Sequence, residues 1–205
     1  MQKGGKFPMD AKKKRRVGCV VMAAGSGTRF GGGKLLAEFR GVPLYRHALD
    51  AVPAQLLDRA AVVSGEAEIL AAGESMGFLP VLNDRPEEGV SRTIRLGLEA
   101  LGDVDASLFM VADQPQLRRE TVERLLSEGA AQPERIVAPA RADGQLGNPC
   151  LFPAAFFPEL RALEGDRGGR RVISAHPEAL AAIPVPEDEL FDTDSREDLK
   201  KLEER

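Results

Sequence analysis

Cysteine and histidine are scarce in this chain, two of each in 205 residues. Cys19 and Cys150 are too few for a disulfide framework, and no Cys/His cluster suggests zinc. Cys19 lies inside an apolar run and reads as a small buried side chain. His47 and His176 have no sequence neighbours that complete a Ser/His/Asp set, so both read as structural or solvated. No apolar run approaches the length of a membrane span. Positive charge is not in excess: the formal net charge is −4, which argues against nucleic acid as the main partner. The charged N-terminal segment precedes an apolar run that soon breaks into glycines, which is not a signal-peptide pattern. Internal repeats and linkers are also lacking. These absences point to a cytoplasmic protein working on small molecules, away from membranes.

What is present is an ordinary globular composition, 43% hydrophobic, in a chain long enough for one substantial core. Residues 1–16 differ in character, with little to bury and a basic run at Lys12–Arg16. They read as a flexible basic tail, partly foreign to the natural chain, and residues 17–205 as a single domain. Basic runs can also address nucleic acid or nuclear import, but short ones often match by chance. From Val17 onward, apolar runs alternate with amphipathic segments. The pattern predicts strands at Val17–Ala23, Ala60–Ser64, Leu79–Leu82, Ser107–Ala112, Arg135–Pro139 and Leu180–Val185. Helices are predicted at Pro43–Val52, Glu66–Met76, Ser91–Leu101 with Ser91 as N-cap, and Arg118–Glu128. "PARADGQLGNPCLF" reads as a loop into a strand that need not be parallel, and "GDRGGRRVI" as a turn entering a helix. "FDTDSREDLKKLEER" reads as a helix capped by Ser195 or Asp194. Strand–helix alternation implies an α/β fold with a mostly parallel sheet and helices on both faces. Ligands of such sheets sit at the carboxyl ends of the strands.

One such end carries "AAGSGTRFGGGK", a glycine-rich loop with two cations. A Walker-type loop would place Ser or Thr after the lysine, and here Leu35 follows Lys34. A dinucleotide fingerprint would place a third glycine where Phe30 stands, and Asp50, the acid some twenty residues on, falls in a predicted helix. A plain strand-to-helix turn is the bland alternative. The remaining reading is a nucleoside triphosphate, with bare backbone around base and phosphates and with Arg29 and Lys34 balancing charge that shifts toward a leaving pyrophosphate. A second strand end, "LFMVADQPQL", puts Asp113 where a hard oxygen donor could hold Mg²⁺ on that triphosphate. A solvated acid opening the next turn is the bland counterpart.

"VMAAGSGTRFGGGK" resembles the Leu-Ala-Ala-Gly-x-Gly-x-Arg-Met…Lys signature of the nucleotidyltransferases, with Met22 and Phe30 as mild departures. "LFMVADQPQL" is similar to the Leu-Ala-Asp-Gln-Pro block of the molybdenum cofactor cytidylyltransferases in particular. "NDRPEEGVSRTIRLGLEAL", "GQLGNPCLF", "GDRGGRRVI" and "FDTDSREDL" resemble further blocks of that family along nearly the whole chain. Asn148 stands where the family has histidine. The resemblance implies a three-layer α/β/α Rossmann-like nucleotidyltransferase fold. It also implies Arg29 and Lys34 as catalytic residues, and Ala23, Ala24, Gly25, Ser26, Gly27, Asn83, Gly89 and Ser91 around the nucleotide. Asp113 and Asp194 would hold Mg²⁺, with Asp192 a nearby spare.

The activity so implied is transfer of CMP from CTP to a phosphate-bearing acceptor, molybdopterin carrying molybdenum, with accessory molybdoenzyme partners allowed by the same likeness. By resemblance the Ala-Ala-Gly loop goes with CTP-using members, whereas guanylyl-transferring relatives carry Ala-Gly-Gly. The Ala24 methyl would also crowd a purine, so CTP is expected before GTP. Transfer to a sugar phosphate or methylerythritol phosphate, or nucleotide binding without turnover, are the alternatives.

Overall fold

The computed structural model describes residues 14–25, 27 and 30–204. Residues 1–13 of the basic tail, and Ser26 and Arg29 among the candidate site residues, lie outside them. Arg15 and Arg16, read from sequence as the tail's end, are held to the domain. Arg15 donates to the carbonyls of Gly129 and Pro133, and Arg16 pairs with Asp103 at 2.8 Å and, through its backbone N–H, with Asp105 at 2.7 Å.

The first strand is β1 (Val17–Ala23), followed by a short hairpin, β2 (Glu38–Phe39) and β3 (Val42–Pro43), and helix α1 (Leu44–Ala51). Then come β4 (Arg59–Ser64), α2 (Ala67–Ser75), β5 (Leu79–Leu82), α3 (Val90–Leu101), β6 (Ala106–Val111), α4 (Arg119–Ala131) and β7 (Ile136–Ala140). The chain ends with β8 (Cys150–Pro153), α5 (Phe157–Arg161), α6 (Arg170–Ala175), β9 (Leu180–Pro184) and α7 (Arg196–Glu203). The main sheet has seven strands in the order β5-β4-β1-β6-β8-β7-β9. Its pairings are parallel except those of β8, which runs antiparallel to β6 and β7. The strand expected after "PARADGQLGNPCLF" is thus the one reversed member.

β1 lies inside the sheet, between β4 and β6, because nothing in it is charged and its two faces are both apolar. Cys19, Val21 and Ala23 face the layer formed by α1, α2 and α4, through Leu49, Ile69 and Leu125. Val20 points the other way, toward Ile94 and Leu98 of α3 and Leu160 of α5. This alternation along one strand makes the three layers. Full burial of each such Leu or Ile contributes about 1.5–3 kcal/mol. A third, smaller cluster packs Leu202 of α7 against Phe39 of the hairpin and Leu44 of α1. It anchors the C-terminal helix beside the loop that follows β1.

Two expectations are corrected. Helix α3 starts at Val90, with Gly89 as its N-cap, so Ser91 lies inside the first turn and its hydroxyl caps nothing. Gly89 makes the earlier start affordable: its φ of 84° turns the chain into the helix, a backbone region that disfavours side chains. Between β1 and α1 the sequence pattern showed no strand, yet the hairpin forms there. Its strands are only two residues each, too short for a period-two signal. At the C-terminus the choice between caps resolves to Ser195, which forms a reciprocal capping box with Asp198.

Candidate active site

β1 pairs with β6 so that Met22 lies opposite Val111, and with β4 so that Ala23 lies opposite Ser64. Register alone therefore brings the glycine loop, the Ala112–Asp113 turn and the end of β4 to one edge. Ser64, fully buried, donates to the carbonyl of Ala23 at 2.9 Å and accepts from the N–H of Glu66 at 3.1 Å. It latches the start of the glycine loop to the neighbouring strand. Sequence reasoning passed over Ser64, although it ends a strand just as Asp113 nearly does.

Past Ala24 and Gly25 the loop folds back on itself. The N–H groups of Phe30 and Gly32 both donate to the carbonyl of Gly27, at 2.9 and 3.2 Å. Gly31, Gly32 and Gly33 take φ values of 86°, 91° and 61° in succession. Three left-handed residues in a row reverse the chain within a span that side-chain-bearing residues would strain. The reversal returns Lys34 to the strand ends. Its Nζ lies 2.5 Å from Asp113 Oδ2 and 3.3 Å from Asp194 Oδ1. The lysine side chain is 12% exposed, Asp113 21% and Asp194 43%.

Asp194 arrives from the far end of the sequence. The N–H of Thr193 donates to the carbonyl of Asp113 at 3.0 Å, and the Asp198–Ser195 box fixes the turn just beyond. Asp192, one step earlier, accepts from Gln114 Nε2 at 2.9 Å. Asp192 keeps solvent access at the mouth of the site. Burial of its cleft side, then repulsion from Asp113 and Asp194, nevertheless hold its carboxyl above the usual range, against the pull of Gln114 and Lys34. Three aspartates thus surround one lysine, an excess of negative charge that suits a cation. Asp113 Oδ1 is buried and has no hydrogen-bond partner, and hard oxygen donors of this kind fit Mg²⁺ or Mn²⁺. Among the described residues no group of three acidic, histidine or cysteine side chains could hold a metal. A divalent ion would have to draw its other donors from substrate and water, as Mg²⁺ commonly does.

These elements enclose a cleft of about 250 Å³ lined by Ala24, Gly25, Gly27, Lys34, Gly89 and Asp113 together with Pro86, Thr93 and Asp166. Gly89 is there because the two loops meet backbone to backbone. A Cβ on it would fall 2.3 Å from the carbonyl carbon of Gly165, and the N–H of Ser91 donates to that residue's oxygen at 3.1 Å. This contact carries Asp166, one of the residues by which "GDRGGRRVI" resembles the family, into the cleft.

Asn83 and Ser91 sit behind the cleft wall. Asn83 is 1% exposed and its amide donates to Thr93 and accepts from Arg92 and the N–H of Arg85. It shapes the loop from within. Ser91 is buried and its hydroxyl has no partner. His47 donates from Nε2 to the carbonyl of Phe39 in the hairpin at 3.0 Å, and His176 pairs at 2.8 Å with Glu159 on the surface, so both are structural.

A second cavity of about 300 Å³ adjoins the first, sharing Met22, Val90 and Val111. Its floor is apolar, with Phe109 and Phe152 packed edge to face at 5.9 Å. Arg141, Asn148 and Arg170 stand around it. Cys150 also lines this cavity, but burial pushes its thiol up to about 12, which leaves it inert as a nucleophile.

Comparison with known proteins agrees with this architecture. The molybdenum cofactor guanylyltransferase of Rhodobacter capsulatus is 30% identical over 200 residues, 93% of this chain and 96% of that one. The 3-deoxy-manno-octulosonate cytidylyltransferase of Anaeromyxobacter is 30% identical over 128 residues; the match takes in 61% of this chain and spans about half, 52%, of that relative's length. Rv0371c of Mycobacterium tuberculosis superposes with a TM-score of 0.77 at 25% identity, covering 94% of this chain and 100% of that one, and its manganese complex does so at 0.74. Residues 19–180 match the model of the MobA-like NTP transferase domain, well over half of the chain. A glycine loop and an aspartate facing each other across parallel strand ends are what that match contains, and this chain belongs to the MobA-like NTP transferase domain family.

Proposed function

We propose that this protein transfers a nucleotidyl group from CTP to a phosphate-bearing acceptor of the molybdopterin type, releasing pyrophosphate. The observation that carries this reading is the meeting of Lys34 with Asp113 and Asp194 beneath the glycine loop. The backbone from Ala23 to Gly27 would wrap the nucleotide, and Lys34, with Arg29 of the same loop, would balance charge on the phosphates. Asp113 and Asp194 would hold Mg²⁺, which supplies charge neutralisation on the triphosphate when bound. An acceptor phosphate oxygen forms the new bond to the α-phosphorus as the bond from that phosphorus to the bridging oxygen breaks. The second cavity would seat the acceptor, with its apolar floor under a flat ring system and Arg141 and Arg170 at hand for anionic groups. The protein supplies placement and electrostatics, and no covalent nucleophile is needed.

CTP is favoured by the Ala24 methyl in the cleft wall and by the narrowness of the recess beside it, about 110 Å³ between the Ala23–Gly25 stretch, Glu66 and Pro86. A single-ring base needs less room there than a fused one. GTP is the second reading, favoured by the guanylyl-transferring relative named above. Pyrophosphate release measured with CTP, GTP, UTP and ATP, each with molybdopterin and with sugar-phosphate acceptors, separates these readings. Faster turnover with GTP would replace CTP, and absence of turnover with any acceptor, despite nucleotide binding, would make this a non-catalytic binder.

A further inference from the structure

Lys34 does more than wait for phosphate. Its ammonium lies between the two carboxylates that the proposed function gives to the metal, 2.5 Å from one and 3.3 Å from the other, in a largely buried setting. A divalent cation joining those oxygens would meet a positive charge already among them, and two cations at such range repel strongly in a partly desolvated site. The side chain enters from the glycine loop that lines the nucleotide cleft, so a triphosphate bound there offers the ammonium a more negative partner within reach. We propose that Lys34 is the resident counter-ion of the Asp113–Asp194 pair, keeping it closed to divalent cations until a triphosphate draws the lysine away. Metal and nucleotide then bind together, and the ion is denied to an empty site. This rests on the assignment of the two aspartates to the metal, and it concerns the order in which ligands enter.

The signature lies in metal affinity without nucleotide. A lysine that served only as a phosphate contact would leave bare Mn²⁺ affinity unchanged on its removal. A lysine that occupies the site holds that affinity down, so its removal would raise it. Electron paramagnetic resonance titration of free Mn²⁺ therefore tests the idea with no turnover needed. Lys34→Met is expected to bind Mn²⁺ alone at least 10-fold tighter than the unaltered protein. In the unaltered protein, a non-hydrolysable α,β-methylene analogue of CTP should tighten Mn²⁺ by a similar factor. Asp113→Asn added to Lys34→Met should abolish the gain, which ties it to this pair. Should Lys34→Met unfold, the coupling between Mn²⁺ and the analogue in the unaltered protein still decides, since independent binding overturns the proposal. If the analogue tightens Mn²⁺ yet Lys34→Met binds bare Mn²⁺ no better, this inference fails while the proposed function stands. If Mn²⁺ binds under none of these conditions, the metal role of the aspartates falls and the proposed function with it.

Discussion

At Lys34 one flexible side chain joins the glycine loop to aspartates drawn from positions 113 and 194. Its replacement by alanine removes a cation from the reacting phosphates but leaves the core intact. Lys34→Ala is expected to lower kcat/KM by about 10²–10³-fold, the usual scale for losing one preorganised electrostatic contact. The melting temperature should move by only a few degrees. Steady-state pyrophosphate release and thermal unfolding, run side by side, check both halves; loss of the fold with specific activity retained would contradict the assignment. Base choice is also a residue-scale matter. Removing the methyl in Ala24→Gly should shift the GTP:CTP ratio of kcat/KM toward GTP by about 10-fold or more, within the range of roughly 10–200-fold that one such group gives. Lys34, Ala24 and Asp113 were legible in the sequence because their chemistry sits in short motifs at strand ends. Asp166 was legible only as part of a block that resembles the family, and Ser64 was not, since what it does depends on which strand lies alongside.

Single elements set how firmly the site is held. Helix α7 delivers Asp194, and its capping box is the first hinge of that delivery. Ser195→Ala is expected to cost about 1 kcal/mol at neutral pH, as N-cap removals do. The hydrogen bond from Ser195 holds the Asp198 carboxyl below the usual carboxylate range. A carboxyl depressed by folding contributes stability that is complete above its unfolded pKa, about 3.9, and is lost as the pH falls through the lower folded value. The gap in melting temperature between the unaltered protein and Ser195→Ala should therefore narrow below that pH to the part owed to the non-titrating bond from the Asp198 N–H to Ser195 Oγ, which a calorimetric series from pH 7 to pH 2 would follow. The start of α3 is subject to two demands at once. Gly89→Ala forces a side chain into a left-handed backbone and against the Gly165 carbonyl, so both loops must part. It should raise KM for nucleotide several-fold and lower stability by more than about 1 kcal/mol. A KM and melting temperature equal to those of the unaltered protein would show that the two loops need not touch.

The whole molecule answers to ligand through linkage. A nucleotide that binds the folded state alone at 100 times its Kd adds about 2.7 kcal/mol. For a domain of this size that corresponds to a rise of roughly 5–10 °C. CTP with Mg²⁺ is expected to give such a rise, and each ligand by itself much less. Differential scanning fluorimetry across the four nucleotides, with and without the ion, reads this directly; equal shifts from CTP alone and from CTP with Mg²⁺ would contradict the linked site. The layers behind this response follow from β1, whose two faces feed two separate clusters. The third cluster, of Phe39, Leu44 and Leu202, ties the C-terminal helix to the hairpin and to α1.

The sequence by itself determined the layered α/β plan, since apolar strands and amphipathic helices announce their periods locally. It also determined the glycine loop and the aspartate at the end of the β6 turn, for the same reason of short range. Only the tertiary structure decided that β8 runs backwards between β6 and β7 and that a six-residue hairpin packs against α7. It alone decided that Asn83 works behind the cleft and that Asp194 closes on Lys34 across 160 residues. Pairing direction, loop-to-loop contact and the meeting of distant charges depend on what packs beside each segment, and no local pattern encodes a neighbour.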